Sequence, residues 1–286
     1  MTELLFQLAG GTVFLVLAMC ILVPIAAGYL TRGDAAARLF QGLLVLVAAG
    51  VFLSAPPLPR GLLPMWALIV IGCLIESGWR SRRGFRPGGY AAGLLAAATC
   101  GLVLLEIPFL RSPSVPHFPV TAIHVVGDSL SAGIGRESRP WPAILEDESG
   151  IAVSNPASPG ARLSDGIRQI RAIDDEDTLV LVLLGGNDIL MRATRADFEQ
   201  DLRALLDQLA ATGSPAMLFE LPVIAGFRPY GRIQRRLARD YDIPLIPASV
   251  LSRILSTGDA TSDGIHLTDN GHRKLAEMVA EMVSAD

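Results

Sequence analysis

The chain has 286 residues, 51% of them hydrophobic, and a formal net charge of −4. That length allows one or two domains, and so apolar a composition points first to membrane spans. Residues 1–110 hold seven arginines and four acids, a net of +3, whereas residues 111–286 carry a net of −7, which argues against bulk-charge binding of the second part to nucleic acid or anionic lipid.

Leu4 to Leu30 is uncharged over 27 residues, enough for a helix to cross a bilayer core. Its length and the lack of a positive n-region argue against a cleaved signal peptide. Leu39–Ala55 is a second uncharged run. Gly61–Ile75 is a third, short at 15 residues, and Tyr90–Leu110 a fourth, interrupted only by Glu106. Four such runs with almost no amphipathic pattern read as about four transmembrane helices rather than buried helices of a soluble core. Six of the seven arginines fall in two loops, Thr31–Arg38 and Trp79–Gly89. With four spans these loops share one side, which the positive-inside rule makes cytoplasmic. Both termini then face outward, to the periplasmic side of an inner-membrane-type bilayer.

Arg111–Pro119 (RSPSVPHFP) reads as a proline-punctuated linker. It reaches roughly 28 Å at about 3.1 Å per residue. The expected division is a membrane region over 1–110, a linker over 111–120 and a second domain over 121–286.

From Thr121 the texture changes to short β-rich runs alternating with helix-periodic stretches. Strands are expected at Ala122–Val126, Ile151–Ser154, Leu179–Leu184, Ala216–Glu220 and Ile243–Ile246. Helices are expected at Pro142–Glu148, Ser164–Ala172, Arg195–Ala211, Tyr230–Asp240 and Asn270–Ser284. Leu202, Leu205, Leu206 and Leu209 form an amphipathic stripe. This alternation implies an α/β domain with a parallel sheet covered on both faces. Cys20, Cys73 and Cys100 all lie in the first half; that excludes a disulfide framework or cysteine metal site in this domain.

In an open parallel sheet, ligands bind beyond the carboxyl ends of the strands. Four chemically suited segments fall there: Gly127-Asp128-Ser129-Leu130, Asn155 to Gly160, Gly185-Gly186-Asn187-Asp188, and Asp263-Gly264-Ile265-His266. Taken singly each has a plainer explanation. Ser129 could cap a helix, Asn187 and Asp188 could form a turn, and Asp263 and His266 could be a solvated pair. Asp128 and Asp188 are read as turn-shaping residues. The four segments in this order resemble the blocks of the SGNH, or GDSL, hydrolases, and VVGDSLSAGIG, LVLLGGNDIL and DGIHLTDNG are similar to the thioesterase and lysophospholipase branch. The resemblance covers roughly residues 121–285.

The resemblance implies a flavodoxin-like three-layer sheet and a serine esterase working through an acyl-enzyme. Ser129 would be the nucleophile, His266 its general base and Asp263 the group that orients the imidazole. The backbone N–H groups of Ser129 and Gly160 and the side-chain amide of Asn187 would form the oxyanion hole. In the same branch, the region of Phe227 and Tyr230 lines the acyl pocket, so both are expected to bind substrate. No cofactor and no metal are expected, since no cluster has ligand spacing and Gly185-Gly186 is too short for a phosphate loop. The other histidines read as structural: His117 in the linker, His124 in a strand, His272 opening the last helix. Arg228, Arg232, Arg235, Arg236 and Arg239 read as a solvated stripe.

The substrates expected are acyl esters or thioesters, with lysophospholipids favoured by nearness to the bilayer. Two rival readings use the same residues: an O-acetyl esterase or acyltransferase acting on an envelope glycan, and a catalytically idle envelope-binding domain.

Overall fold

The computed structural model describes residues 2–30, 34–111, 113, 120–135, 137, 139–171, 173 and 177–284. Most of the linker, including His117, lies outside them, as does Arg32. The chain forms two compact units, one of residues 11–108 and one of residues 1–10 with 109–286.

The first unit is helical: α2 (Thr12–Cys20), α3 (Leu22–Leu30), α4 (Asp34–Ser54), α5 (Leu62–Arg82) and α6 (Tyr90–Glu106), numbered after α1 (Thr2–Ala9), which belongs to the other unit. Among the described residues four stretches are long and apolar enough to cross a membrane: Thr12–Leu30, Asp34–Ser54, Leu62–Arg82 and Tyr90–Leu110. The structure divides the first apolar run of the sequence. Gly11 adopts a φ of 77°, a left-handed conformation that ends α1. A second break falls at Ile21, because Pro24 lacks an N–H and its ring crowds the carbonyl of Cys20 four residues earlier. The third span is longer than its uncharged run, since α5 continues through Glu76 and Arg80 to Arg82. Phe14, Phe40, Leu44, Trp66 and Leu95 pack inside this unit. Leu30, Leu46, Leu68, Ile75 and Leu104 lie 65–75% exposed on its outside, an apolar surface that suits lipid rather than water.

The second unit is the α/β domain. Its strands are β1 (Ala122–Gly127), β2 (Ala152–Ser154), β3 (Thr178–Leu183), β4 (Ala216–Phe219) and β5 (Leu245–Ile246). All pair in parallel in the order β2-β1-β3-β4-β5, the flavodoxin-like order. The helices are α7 (Ser129–Ala132), α8 (Trp141–Ser149), α9 (Leu163–Ile170), α10 (Gly186–Leu190), α11 (Arg195–Thr212), α12 (Arg228–Asp240), α13 (Ala248–Leu255) and α14 (Asp269–Ser284). Side chains alternate across a strand, so β3 sends Leu179, Leu181 and Leu183 to one face and Val180 and Val182 to the other. The first set packs with residues of α8, α13 and α14, the second with residues of α9, α11 and α12. Every expected strand and helix is present to within a few residues, and α13 is added together with the short α7 and α10.

Three of the five arginines near α12 depart from the solvated stripe read in the sequence, whereas Arg239 is exposed. Arg228 is only 7% exposed. Arg235 pairs with the fully buried Glu220 at 2.5 Å and lies over the Phe109 ring at 3.9 Å. Arg236 pairs with Glu199 at 2.6 Å. The helix α1 also packs here, against α13, where the Ser252 hydroxyl donates to the Phe6 carbonyl.

Leu205 of α11 is fully buried between helix and sheet. Leu205→Ala should cost about 2–5 kcal/mol, the range for a truncated core leucine, read as a lowered melting temperature of the full chain.

Candidate active site

The register aligns Gly127 of β1 with Leu183 of β3, so the segments that follow these strands leave the sheet side by side. Between β1 and β3 the strand order reverses, and such a switch point opens the crevice where doubly wound sheets bind ligands.

Ser129 begins α7, and Asp128 caps that helix by accepting the N–H of Leu130 at 2.9 Å. The reading of Asp128 as a turn-shaping residue agrees with this bond. The Ser129 N–H is one of the helix's first amides, which have no partner inside the helix. Ser129 is 9% exposed, so its hydroxyl sits at the edge of solvent.

Asp263 and His266 are directly paired: Nδ1 of the imidazole lies 2.6 Å from Oδ2 of Asp263. The other carboxylate oxygen accepts the N–H groups of Ile265 at 3.0 Å and His266 at 2.9 Å. These bonds hold Asp263 well below the usual carboxylate range, at about 2, the His266 backbone N–H contributing most and its imidazole next. An ionised carboxylate only accepts, so it fixes the neutral ring with hydrogen on Nδ1 and leaves Nε2 free as a base. The loop is braced at its base. Thr268 N–H donates to the Ala260 carbonyl at 2.9 Å, and Asn270 Nδ2 donates to Asp259 at 2.8 Å. A side chain at Gly271 would press its Cβ to 2.1 Å from the Ala260 carbonyl oxygen, so only glycine lets α14 start this close to the loop. Among the described residues no hydrogen bond joins Ser129 Oγ to His266; such bonds commonly tighten only when substrate is present.

Gly160 has a φ of 78°. A Cβ at this position would meet nothing within 4 Å, and backbone conformation is what demands glycine here. Asn187 reaches across to this loop, donating through Nδ2 to the Ala161 carbonyl at 2.9 Å and to Asp128 Oδ2 at 3.3 Å. Asp188, read from the sequence as a turn former, is fully buried. Its Oδ2 accepts the Leu163 N–H at 3.0 Å. Its Oδ1 lies 3.3 Å from Arg162 Nε but out of line for a hydrogen bond, so that contact is Coulombic. Asn187 and Asp188 thus pin the loop carrying Gly160 from both sides.

Two supporting roles are absent from the sequence reading. Gln169 of α9 grips the Gly127 peptide at both ends, accepting its N–H at 2.8 Å and donating to its carbonyl at 3.0 Å. Asn155 donates to the Ser131 carbonyl at 3.0 Å, tying the segment after β2 to α7. A polar side chain on the core-facing stripe of α9 is the one sequence signal that could have marked Gln169.

His124 and His272 are buried, and burial holds both below the ordinary histidine range. His124 contacts the Gln169 carbonyl at 3.0 Å, and His272 accepts the Trp141 N–H at 3.1 Å. Phe227 is 40% exposed. Its ring centre lies 6.2 Å from that of Tyr230, whose hydroxyl donates to the Ala193 carbonyl at 2.7 Å. The cleft of about 770 Å³ between α13 and α14 contains none of the four segments. Among the described residues no group of histidine, cysteine and carboxylate side chains could hold a metal.

Burial pushes the Asp128 carboxyl up to about 6, against the Leu130 N–H and the nearby charge of His266, which pull it down. A raised carboxyl means that the folded state holds the proton more tightly than the unfolded chain. The resulting stability is present below about pH 4 and is lost as pH rises through about 6, a change of about 3 kcal/mol. Melting of the full chain between pH 4 and 7 should show wild type losing this stability relative to Asp128→Asn.

Residues 125–274, just over half of the chain, match the GDSL-like Lipase/Acylhydrolase family. Thioesterase 1/protease 1/lysophospholipase L1 of Escherichia coli is 30% identical over 169 residues, 56% of this chain and 81% of that protein. Esterase TesA of Pseudomonas aeruginosa is 27% identical over 168 residues, 54% of this chain and 84% of that one. The crystal structure of esterase EstA from Pseudoalteromonas sp. shares the fold, with a TM-score of 0.52 at 20% identity over 57% of this chain and 96% of that one. The chain therefore belongs to the GDSL-like lipase/acylhydrolase family, whose SGNH fold it shares, and is a hydrolase acting on ester bonds.

Proposed function

We propose that this protein is a membrane-anchored serine esterase in which Ser129, Asp263 and His266 hydrolyse acyl esters or thioesters, lysophospholipids foremost, beside the bilayer. The observation that carries the reading is the 2.6 Å bond between Asp263 and His266, on the same unit as a serine at the head of α7. Ser129 Oγ attacks the acyl carbonyl while His266 Nε2 takes its proton. The tetrahedral intermediate collapses, the bond to the leaving alcohol or thiol breaks, and His266 returns the proton to that group. Water then repeats the sequence on the acyl-enzyme, releasing the acid and restoring Ser129. Asp263 stays ionised throughout and stabilises the imidazolium.

The developing oxyanion is received by the N–H groups of Ser129 and Gly160 and by Asn187 Nδ2. The long 3.3 Å bond from Asn187 to Asp128 is the weaker of that amide's two bonds, and is the one given up to the oxyanion. Phe227 and Tyr230 form an aromatic wall for the acyl chain. The anchor's spans lie within residues 1–110 and the catalytic domain covers residues 121–286, joined by the linker over 111–120, with α1 packed in the catalytic unit. Two observations support an outward-facing domain. Six of the seven arginines before residue 111 fall in two alternate loops. The helix α1 packs on α13 within the catalytic unit, which agrees with a first segment on the catalytic side and an even number of crossings. The names of the relatives, which include thioesterase and lysophospholipase, support the substrate class.

The full-length protein should be labelled by a fluorophosphonate probe and should hydrolyse p-nitrophenyl acyl esters. Both properties should vanish in Ser129→Ala, and an unchanged rate in that variant would overturn the assignment of the nucleophile. Asn187→Ala should lower kcat by about 10²–10³, the usual cost of one oxyanion donor, with KM for the same ester little changed.

A further inference from the structure

The helical unit of residues 11–108 carries a polar knot where α3, α5 and the start of α6 meet. Gly88 N–H donates to the Gly28 carbonyl at 2.8 Å, and the Tyr29 hydroxyl donates to the Gly89 carbonyl at 2.5 Å. A Cβ at Gly88 would lie 2.9 Å from the Gly28–Tyr29 backbone. Glu76 is committed to the start of α6, accepting the N–H groups of Tyr90 at 3.1 Å and Ala91 at 2.7 Å. Arg86 Nη1 donates to the Tyr29 carbonyl at 2.9 Å, and Arg80 Nε donates to the Arg86 carbonyl at 3.0 Å.

Beside this knot opens a cleft of about 530 Å³, lined chiefly by Tyr29, Arg80, Phe85, Arg86, Gly89 and Tyr90. That volume is in the range of small-ligand sites. Backbone carbonyls position both guanidiniums. Each has five N–H donors and uses one in the bonds above. Arg80 Nη1 also makes a long ion pair with Glu76 at 3.9 Å, and Glu76 shares its charge between this contact and the α6 amides. Arg80 also lies over the Phe85 ring at 5.8 Å, and the neighbouring Arg83 over Trp79 at 4.1 Å. The positive-inside rule accounts for arginines in this loop but not for two of them fixed by the backbone at one aromatic-walled cleft.

We propose that this cleft binds a phosphate group through the paired guanidiniums of Arg80 and Arg86. Planar guanidinium forks match the oxygens of a phosphate, and Tyr rings suit the headgroup depth of a bilayer. The phosphate comes from an anionic phospholipid headgroup or from a soluble phosphate. The lipid source rests on the reading of these helices as membrane spans, and the site itself does not.

The test uses the full-length protein, delipidated in a neutral detergent. One arm measures retention of phosphatidylglycerol against phosphatidylcholine by native mass spectrometry; the other titrates inorganic phosphate calorimetrically. The variants are Arg86→Gln and Tyr90→Glu. Tyr90 is 90% exposed, so its glutamate puts a negative charge at the mouth and leaves the knot's bonds in place. Wild type should bind one probe at least about tenfold better than both variants, the loss expected for a charge-assisted pair. Phosphatidylglycerol retention with no phosphate titration assigns the headgroup; phosphate titration assigns a soluble anion. Equal binding by wild type and Tyr90→Glu, or no binding of either probe by wild type, overturns the proposal. Esterase activity should be unchanged in both variants, so this outcome stands apart from the fate of the Ser129 assignment.

Discussion

Strands β1 and β3 lie side by side, yet the chain leaves them toward opposite faces of the sheet. After β1 it runs through α7 to α8, on the face of Leu145 and Trp141; after β3 it runs through α10 to α11, on the face of Phe198 and Leu202. Two neighbouring strand ends that diverge must leave a crevice between them. Everything else at the site follows from that opening. Ser129 stands on one lip and Asn187 on the other, with the Gly160 loop drawn in from β2 and the Asp263–His266 loop from before α14.

A crevice built from four loops is accurate only if the loops are tied to something rigid. The ties here are made with backbone groups. Gln169 closes both ends of the Gly127 peptide, Asp188 takes an amide of the Gly160 loop, and Asn187 takes its carbonyl. Such ties are insensitive to the identity of the side chains they hold. The buried ones, at Gln169 and Asp188, are also costly to break, because each would leave an unmet polar group out of reach of water. Asn187 differs from the others: its bond to Asp128 is long, at 3.3 Å, and is the easiest of these to give up.

The regular elements of the α/β domain were legible because each is written locally. Continuous apolar runs such as TLVLVL mark strands buried on both faces, and the leucine stripe of α11 marks a helix with one buried side. The helix α13 was not read, although Pro247 stands at its start, because its eight residues are too few for a clear period. The membrane-length helices were visible in composition, but their breaks depend on Gly11 and Pro24 acting on backbone geometry. The four site segments were legible as chemistry. What the sequence could not express was how they hold one another. Asp188 looked like a turn residue because its partner Leu163 lies 25 positions away, and the arginines near α12 looked solvated because Glu220 and Phe109 are distant in the chain. The demand at Gly160 is on φ, which sequence spacing does not show.

The packing of α1 on α13 has a consequence for the order in which the protein is made. Phe6 and Ser252 are separated by 246 positions, and all the apolar helices are synthesised between them. At ordinary rates of about 5–20 residues per second, the first helix therefore waits at least about ten seconds for the surface it will cover. Contacts of such sequence separation form late. During that interval the ribosome delivers the hydrophobic helices, so α1 spends the insertion stage as an uncommitted segment, and only completion of the hydrolase sheet gives it a fixed place.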